Sequence, residues 1–324
     1  MTQLAEVKVE ALKTQEFIAE RVKEIQDAVG DGIAINALSG GVDSSVVTMI
    51  GHAALGEKLK TYFIDNGIMR EGEPARIVSL FKKLGVKVEI LDAQKEFFTA
   101  FKGLRDPEKK RHAVTDVFYK KVFGKLVKDS KAHFLLQGTI YTDVEETVAG
   151  IKRQHNILAQ LGIDTKKQYG YTVLEPLINL RKPAVRIVGE ALGLPEEIFN
   201  RPPFPGPALA ARIIGEVTPE RVAIVRKATT IVEEEIPVSD TGAFQCMAIL
   251  HDDRVTGMRD GKRDYGLQIE VRSWNTADAV TASPTNIPFS KLEHMAERLT
   301  NEVPGVVNVV YNITKKPPST MEVV

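Results

Sequence analysis

Hydrophobic positions in the first half of the chain switch between helical spacing and short continuous runs. Between residues 4 and 29, Ile18, Val22, Ile25 and Val29 recur at intervals of four, three and four, which predicts an amphipathic helix closed by Gly30-Asp31-Gly32. Ile33 to Leu38 is apolar and β-branched at Ile33 and Ile35, as in a buried strand. A helix runs on through Ala54 and stops near Gly56, and Leu59 to Ile64 is a second strand ending at Asp65-Asn66-Gly67. Glu73 to Leu84 is helical and stops at Gly85; Val86 to Leu91 is a third strand. Residues 93–130 read as helical and very basic, with Pro107 suited to a first helical position. His133 to Gln137 forms a fourth strand ending at Gly138-Thr139, and Pro183 to Leu192 a further helix stopped by Gly193. The stretch from Tyr141 to Ile178, with Glu145, Glu146, Lys152 and His155, is less regular and is expected to wrap a crevice mouth.

Strands separated by helices at this spacing indicate βαβ units and a parallel sheet. In such sheets ligands bind beyond the carboxyl ends of the strands, so Gly40-Gly41 and Asp65-Asn66-Gly67 are expected at one crevice. Arg201 to Pro207 then holds four prolines in seven residues, a rigid connector that neither a helix nor a central strand tolerates. Beyond it the pattern changes. Pro219 to Glu235 and Phe289 to Thr300 read as helices, Phe244 to Leu250 and Leu267 to Arg272 as strands. Val307, Val309, Tyr311 and Ile313 alternate along a last strand with one apolar face. The expected organisation is an α/β domain over 1–200, the connector 201–207, and a smaller α+β domain over 208–324.

With 43% apolar and 27% charged residues, the composition is that of an ordinary globular protein. Lys plus Arg balances Asp plus Glu at 43 each, which gives no reason to expect nucleic acid or an anionic membrane as partner. No apolar run approaches the ~18 residues of a membrane span, and the first residues lack a signal-peptide pattern. A single cysteine, Cys246, excludes an internal disulfide framework and fits a reducing, cytoplasmic setting. It lacks the surroundings of a glutaminase nucleophile and reads as a small buried residue. His155 and His251 have no partner spacing that suggests a metal site.

The chemistry concentrates where the first strand ends, in Ser39-Gly40-Gly41-Val42-Asp43-Ser44-Ser45. Strand, glycine turn and helix N-terminus together bind phosphate: backbone N–H groups point outward and the helix end carries partial positive charge. The glycines allow close approach of the backbone, and Ser39, Ser44 and Ser45 add hydroxyl donors. Asp43, near the first helical position, can cap the turn or hold a metal ion. No lysine follows the second glycine, so this is not the common nucleoside-triphosphate loop.

The stretch resembles instead the S-G-G-x-D-S-[ST] loop of the ATP-pyrophosphatases, which split ATP between the α- and β-phosphates. Further matches are Phe63 to Gly67, Gln137 to Tyr141, Pro203 to Pro207, Asp260 to Arg263 and Lys316 to Glu322. In this order they resemble one family, the ATP-pyrophosphatase part of the GMP synthetases. The resemblance implies an adenine nucleotide alpha hydrolase-like domain followed by a dimerisation domain. It also implies a two-step reaction: the O2 oxygen of xanthosine 5′-monophosphate (XMP) attacks the α-phosphorus of ATP, then ammonia attacks C2 and releases AMP and GMP. ATP and Mg²⁺ are the implied substrate and cofactor. Only 32 residues precede the first strand, so a separate glutaminase subunit is expected to supply ammonia, and a homodimer is expected.

By the same resemblance, residues 39–45 hold the pyrophosphate together with Gly138 and Lys182, Asp43 binds Mg²⁺, and Asp65 and Gly67 lie by the adenosine. Arg111, Lys316, Glu322 and Asp260 belong to XMP, in a site expected to span domains or subunits. A lysine suits a terminal phosphate as a point charge. Two departures stand out: Lys182 is followed by Pro183-Ala184 where the family continues Asp-Glu, and Gln154 stands where a histidine is frequent. Other readings remain open here. Arg111 sits in a charge run whose plainer reading is an exposed helix face, and the plainer reading of Lys316 near the terminus is a solvated side chain, which the surrounding Pro-Pro match disfavours. Another enzyme of the loop superfamily (NAD synthetase, argininosuccinate synthetase or a tRNA-modifying enzyme) or a nucleotide sensor without turnover would also carry this loop. Neutral charge and the lack of a Cys pair or Cys/His cluster speak against tRNA modification.

Overall fold

A computed structural model describes residues 5–148, 170–199, 204–259, 261–277 and 279–323. Lys152, Gln154 and His155, Arg201 to Pro203 of the connector, and Asp260 lie outside the described residues. The helices are α1 Thr14–Val29, α2 Val42–Leu55, α3 Glu73–Lys83, α4 Gln94–Phe101, α5 Pro107–Asp116, α6 Gly124–Ser130, α7 Tyr141–Val148, α8 Lys182–Ala191, α9 Pro219–Glu235 and α10 Phe289–Glu302, besides shorter turns. The strands are β1 Ala34–Ala37, β2 Leu59–Asp65, β3 Val88–Asp92, β4 Phe134–Leu136, β5 Thr172–Leu174, β6 Gln245–Arg259, β7 Lys262–Asn275, β8 Ser283–Pro284 and β9 Val306–Tyr311. No helix among the described residues is long and apolar enough to cross a membrane.

Packing divides the chain into two compact units. The first comprises Met1–Asp65, Glu73–Asp92 and Phe118–Arg201; the second comprises Asn66–Gly72, Ala93–Val117 and Pro202–Val324. In the first, five strands run parallel in the order β3-β2-β1-β4-β5. The chain winds outward from β1 to β3, then returns on the other side at β4. The β1/β4 boundary is therefore the switch point at which such sheets bind ligands. α2 has almost no polar face because it is buried, with Val46, Val47 and Ile50 at 0–1% exposure. Gly51 lets it lie on β2 and β4: a Cβ there would stand 3.0 Å from Leu59 and 3.1 Å from Leu136.

The second unit is built on a β6–β7 hairpin. β9 joins β7 in parallel and β8 joins it antiparallel. α9 packs along β6 and α10 along β9, and Val222, Val225, Ala228, Ile231 and Val232 of α9 are buried.

Several expectations need correction. The N-terminal helix starts at Thr14, after a 3-10 turn at Val9–Ala11, so only its periodic part is helical. The basic stretch 93–130 is helical in several pieces: Gly103, at φ +72°, follows the end of α4, and Pro107 opens α5 as expected, with Asp106 capping Lys109 N–H. β5 lies inside the stretch read as irregular. β6 and β7 continue through polar residues 251–266, which the apolar pattern left out, as an exposed hairpin arm. The last strand stops at Tyr311, leaving Ile313 beyond it and 80% exposed.

Candidate active site

In the first unit the loop from Leu38 to Gly41 joins β1 to α2 and is tied by its own hydroxyls. Ser39 N–H donates to Ser44 Oγ at 3.2 Å, the Ser39 and Ser44 hydroxyls meet at 2.9 Å, and Gly41 N–H donates to Ser39 Oγ at 3.4 Å. Ser44 and Ser45 both donate to the Gly41 carbonyl, at 3.0 and 2.8 Å. Ser45 differs from its expected role: it is fully buried, so its hydroxyl shapes the loop instead of facing a ligand. Below them Thr48 donates to Ser44 O at 2.7 Å, and Asn36 of β1 donates to Thr48 at 2.6 Å. Gly40 adopts φ +79°, and a Cβ there would stand 2.9 Å from the buried Glu73 carboxylate. Only glycine suits that position.

Asp43 does not cap its helix. The N-cap is Gly41, without a side-chain bond, and Asp43 is the second residue of α2. Its Oδ2 accepts from Lys182 Nζ at 2.5 Å, across 139 residues of sequence. Asp43 Oδ1 is buried and has no hydrogen-bond partner among the described residues. Burial pushes the Asp43 carboxyl above the usual range; Lys182 and Arg186 oppose that rise, and Asp143 adds to it. Lys182 is the first residue of α8, with Pro183 in the first turn, where a missing N–H costs nothing. The proline therefore leaves the lysine where a helix start requires it. Among the described residues no three His, Cys, Asp or Glu side chains gather as a metal site. One carboxylate with an unpartnered oxygen instead suits Mg²⁺, which takes most of its ligands from phosphates and water.

Gly138 follows β4 and touches this turn. A Cβ on it would stand 3.2 Å from both the Asp43 carbonyl carbon and the Ser44 nitrogen, so the absent side chain lets the end of β4 reach the loop. Asp65 ends β2 in register with Asp92 of β3. Gly67, in the second unit, has φ +74° and lies under Phe98 and Gln94; its carbonyl accepts from Arg226 at 2.7 Å.

The residues assigned by resemblance to XMP all fall in the second unit where described. Arg111 is half-exposed on α5, 3.9 Å from Glu108. Its neighbour Lys110 is fully buried and donates to Ile213 O at 2.7 Å. Lys316 Nζ donates to Ala279 O at 2.6 Å, so it is not a loosely solvated side chain. The Glu322 carboxylate accepts from the fully buried Arg212 at 3.4 Å and from Gln245 at 3.0 Å.

Four charged residues escaped the sequence pattern. Arg186 lies one turn after Lys182 on α8, a spacing of four that signals a shared face. Asp143, at the start of α7, carries no such signal. Glu270 and Arg272 alternate with apolar residues in β7 and are both buried: Glu270 accepts from Arg272 at 2.6 Å and Asn312 at 3.0 Å, and meets His251 at 2.8 Å. Burial would raise the Glu270 carboxyl, but these three partners outweigh it and hold it at about 2.

Residues 11–207 match the family model described as NAD synthase, and residues 235–323 match that described as GMP synthase C terminal domain. The chain is 46% identical over 311 residues to the B subunit of the glutamine-hydrolyzing GMP synthase of Archaeoglobus fulgidus, covering 96% of this chain and 99% of that protein. It is 44% identical to the protein of the same name from Thermococcus kodakarensis, over 95% and 99% of the two chains, and 42% identical to that of Methanocaldococcus jannaschii, over 95% and 98%. The chain belongs to the family of the B subunits of glutamine-hydrolyzing GMP synthase.

Proposed function

We propose that this chain is the ATP-pyrophosphatase subunit of a two-subunit GMP synthetase, aminating XMP to GMP. The observation that carries this reading is that its relationship to GMP synthase B subunits runs the whole length of the chain. The match to NAD synthase covers residues 11–207, whereas that to the GMP synthase C terminal domain covers residues 235–323, which include Lys316 and Glu322.

In the first step the XMP O2 oxygen bonds to the α-phosphorus of ATP, and the α–β phosphoanhydride bond breaks with its electron pair passing to pyrophosphate. Negative charge grows on the leaving oxygen, so preorganised donors and cations near it lower the barrier. The Gly40, Gly41 and Val42 backbone at the start of α2, with Ser39 and Ser44, supplies the donors, and Lys182 the cation. Gly138 lets the end of β4 close on the loop that holds the leaving group, and Asp65 is assigned to the adenosine. Asp43 would hold Mg²⁺, which neutralises phosphate charge when bound. In the second step ammonia attacks C2 and expels AMP. Arg111, Lys316 and Glu322 hold XMP, with Asp260 as a further member of that site. A separate glutaminase subunit supplies ammonia, in keeping with relatives named as one lettered part of a glutamine-hydrolyzing enzyme. A homodimer formed through the second unit and a cytoplasmic location complete the reading.

Protein mixed with ATP, Mg²⁺, XMP and ammonium is expected to yield AMP, pyrophosphate and GMP. Pyrophosphate appearing only with another acceptor would overturn the assignment of XMP and spare that of ATP. Turnover on glutamine by this chain alone would remove the separate glutaminase.

A further inference from the structure

Beyond Lys316 the chain forms no helix or strand up to Val323, yet side chains of the sheet below hold it at several points. At its start Lys316 exchanges both backbone bonds with Ala282, at 2.9 and 3.0 Å. In its middle the Arg272 guanidinium donates to Thr320 O at 2.7 Å and to Met321 O at 3.4 Å, while its Nε donates to Glu270. At its end Glu322 is gripped by Arg212 and Gln245. Met321 and Val323 pack on Met247, Ile249, Trp274 and Ala282.

Of these side-chain anchors Arg272 is the one that acts on the segment's backbone, and its geometry needs an arginine. A planar fork donates to a carboxylate and to two successive carbonyls at once, which a lysine's point charge cannot reproduce. A buried ion pair within a sheet is weak evidence for a stabilising role, since apolar side chains of similar volume serve as well. Glu270 has three partners of its own, so it fixes the guanidinium in one orientation. Beyond its contribution to stability, this arrangement fixes an orientation. The anchored segment is the one that carries Lys316 and Glu322.

We propose that Arg272, braced by Glu270, is a positioning residue for the acceptor nucleotide: it sets the path of residues 316–322, so that Lys316 and Glu322 present together to XMP. This inference rests on the reading of Lys316 and Glu322 as XMP residues.

The test compares Arg272→Met, Arg272→Lys and Lys316→Ala in full-length protein. It uses steady-state kinetics with ammonium and hydrogen exchange of the C-terminal segment. Losing a charge-assisted bond that fixes the segment is expected to raise KM for XMP about tenfold or more in both Arg272 variants, with KM for ATP within about twofold. Amides of Lys316 and of residues 319–323 should exchange faster while those of β9 keep their protection. Arg272→Lys retains the charge beside Glu270, so it carries the test if Arg272→Met does not fold. A segment that exchanges faster with no change in KM for XMP overturns the positioning role, as does a parallel rise in both KM values with loss of protection in β9. If Lys316→Ala raises KM for XMP and the Arg272 variants do not, positioning alone is wrong. If Lys316→Ala also leaves it unchanged, the acceptor-site reading fails and the inference falls with it.

Discussion

The two units place polar groups by opposite means. In the first, the loop's hydroxyls bond among residues 39 to 48, a single strand–turn–helix passage, and Lys182 and Gly138 reach it from afar. In the second, Lys316 is held by Ala279 and Ala282 of the loop between β7 and β8, and Glu322 by Arg212 and by Gln245 of β6, all distant in sequence. Local placement survives as long as its turn forms. Distributed placement depends on buried charges, Arg212, Glu270 and Arg272, that must all find partners. Lesions in the first unit should therefore cost chemistry with little loss of stability, and lesions in the scaffold of the second should cost stability or acceptor affinity.

The largest effect is expected at Asp43. Asp43→Asn removes the anchor of Lys182 and the proposed Mg²⁺ ligand and should slow pyrophosphate release on the order of 10²- to 10³-fold, the scale of losing a preorganised electrostatic group. Burial holds this carboxyl above its usual pKa, so its charged form is disfavoured in the folded protein. The melting temperature should then stay level or rise. A fall in stability that matches the loss of activity would mean that the loop is scaffolded like the second unit, and the contrast between the units would collapse.

Next comes Glu270. Its folded pKa of about 2 lies below the ordinary 4.5, so between those values the unfolded chain binds more protons than the folded one. Its contribution is complete above pH 4.5 and lost as pH falls towards 2, amounting to roughly 3 kcal/mol for this shift at a buried site. Glu270→Gln should be clearly less stable than the parent at pH 7, and the gap should close on acidification. A gap independent of pH would mean that the ionised carboxylate is not what its partners hold.

The same contrast explains what the sequence revealed. The loop was legible because its groups are neighbours and its glycines are demanded by φ and by close approach at Gly40 and Gly138. β1, β2 and β4 were legible as apolar runs because both faces of that sheet are covered. The β6–β7 arm was not, since it is solvated and its strand character comes from pairing, with Met258 and Tyr265 more than half exposed. β5 was too short for any period to register. Glu270 and Arg272 looked like ordinary polar positions of a strand; burial and partners from residues 251, 312 and 320 give them their role, and no local pattern encodes those.

Lys316→Ala should produce a smaller change, confined to the acceptor. A phosphate-binding ammonium at a partly exposed position is worth about tenfold in XMP affinity, with ATP affinity and thermal stability nearly unchanged. Equal weakening of both nucleotides, measured by calorimetry, would place Lys316 in a shared role and blur the division between the units.

The smallest expected effect sharpens the comparison most, because it concerns a charge that touches no proposed ligand. Lys110 is fully buried beside Arg111, and burial, with Arg221 and Arg105 nearby, lowers its pKa to about 8. The unfolded chain keeps this proton up to about 10.5, so above pH 8 it binds more protons than the folded chain does. By linkage, stability rises with pH there: a depressed lysine costs stability while charged and ceases to do so once neutral. From pH 7 to 9 the gain integrates to about 1 kcal/mol, or a melting shift of about 2 °C in a chain of this size. Lys110→Met lacks that gain, so the parent should improve relative to the variant by this amount over the interval. Neutral Lys110 still donates to Ile213 O, so KM for XMP should not follow the same titration. If it does, the charge of Lys110 reaches the acceptor through Arg111, and the buried scaffold of the second unit is part of its binding surface.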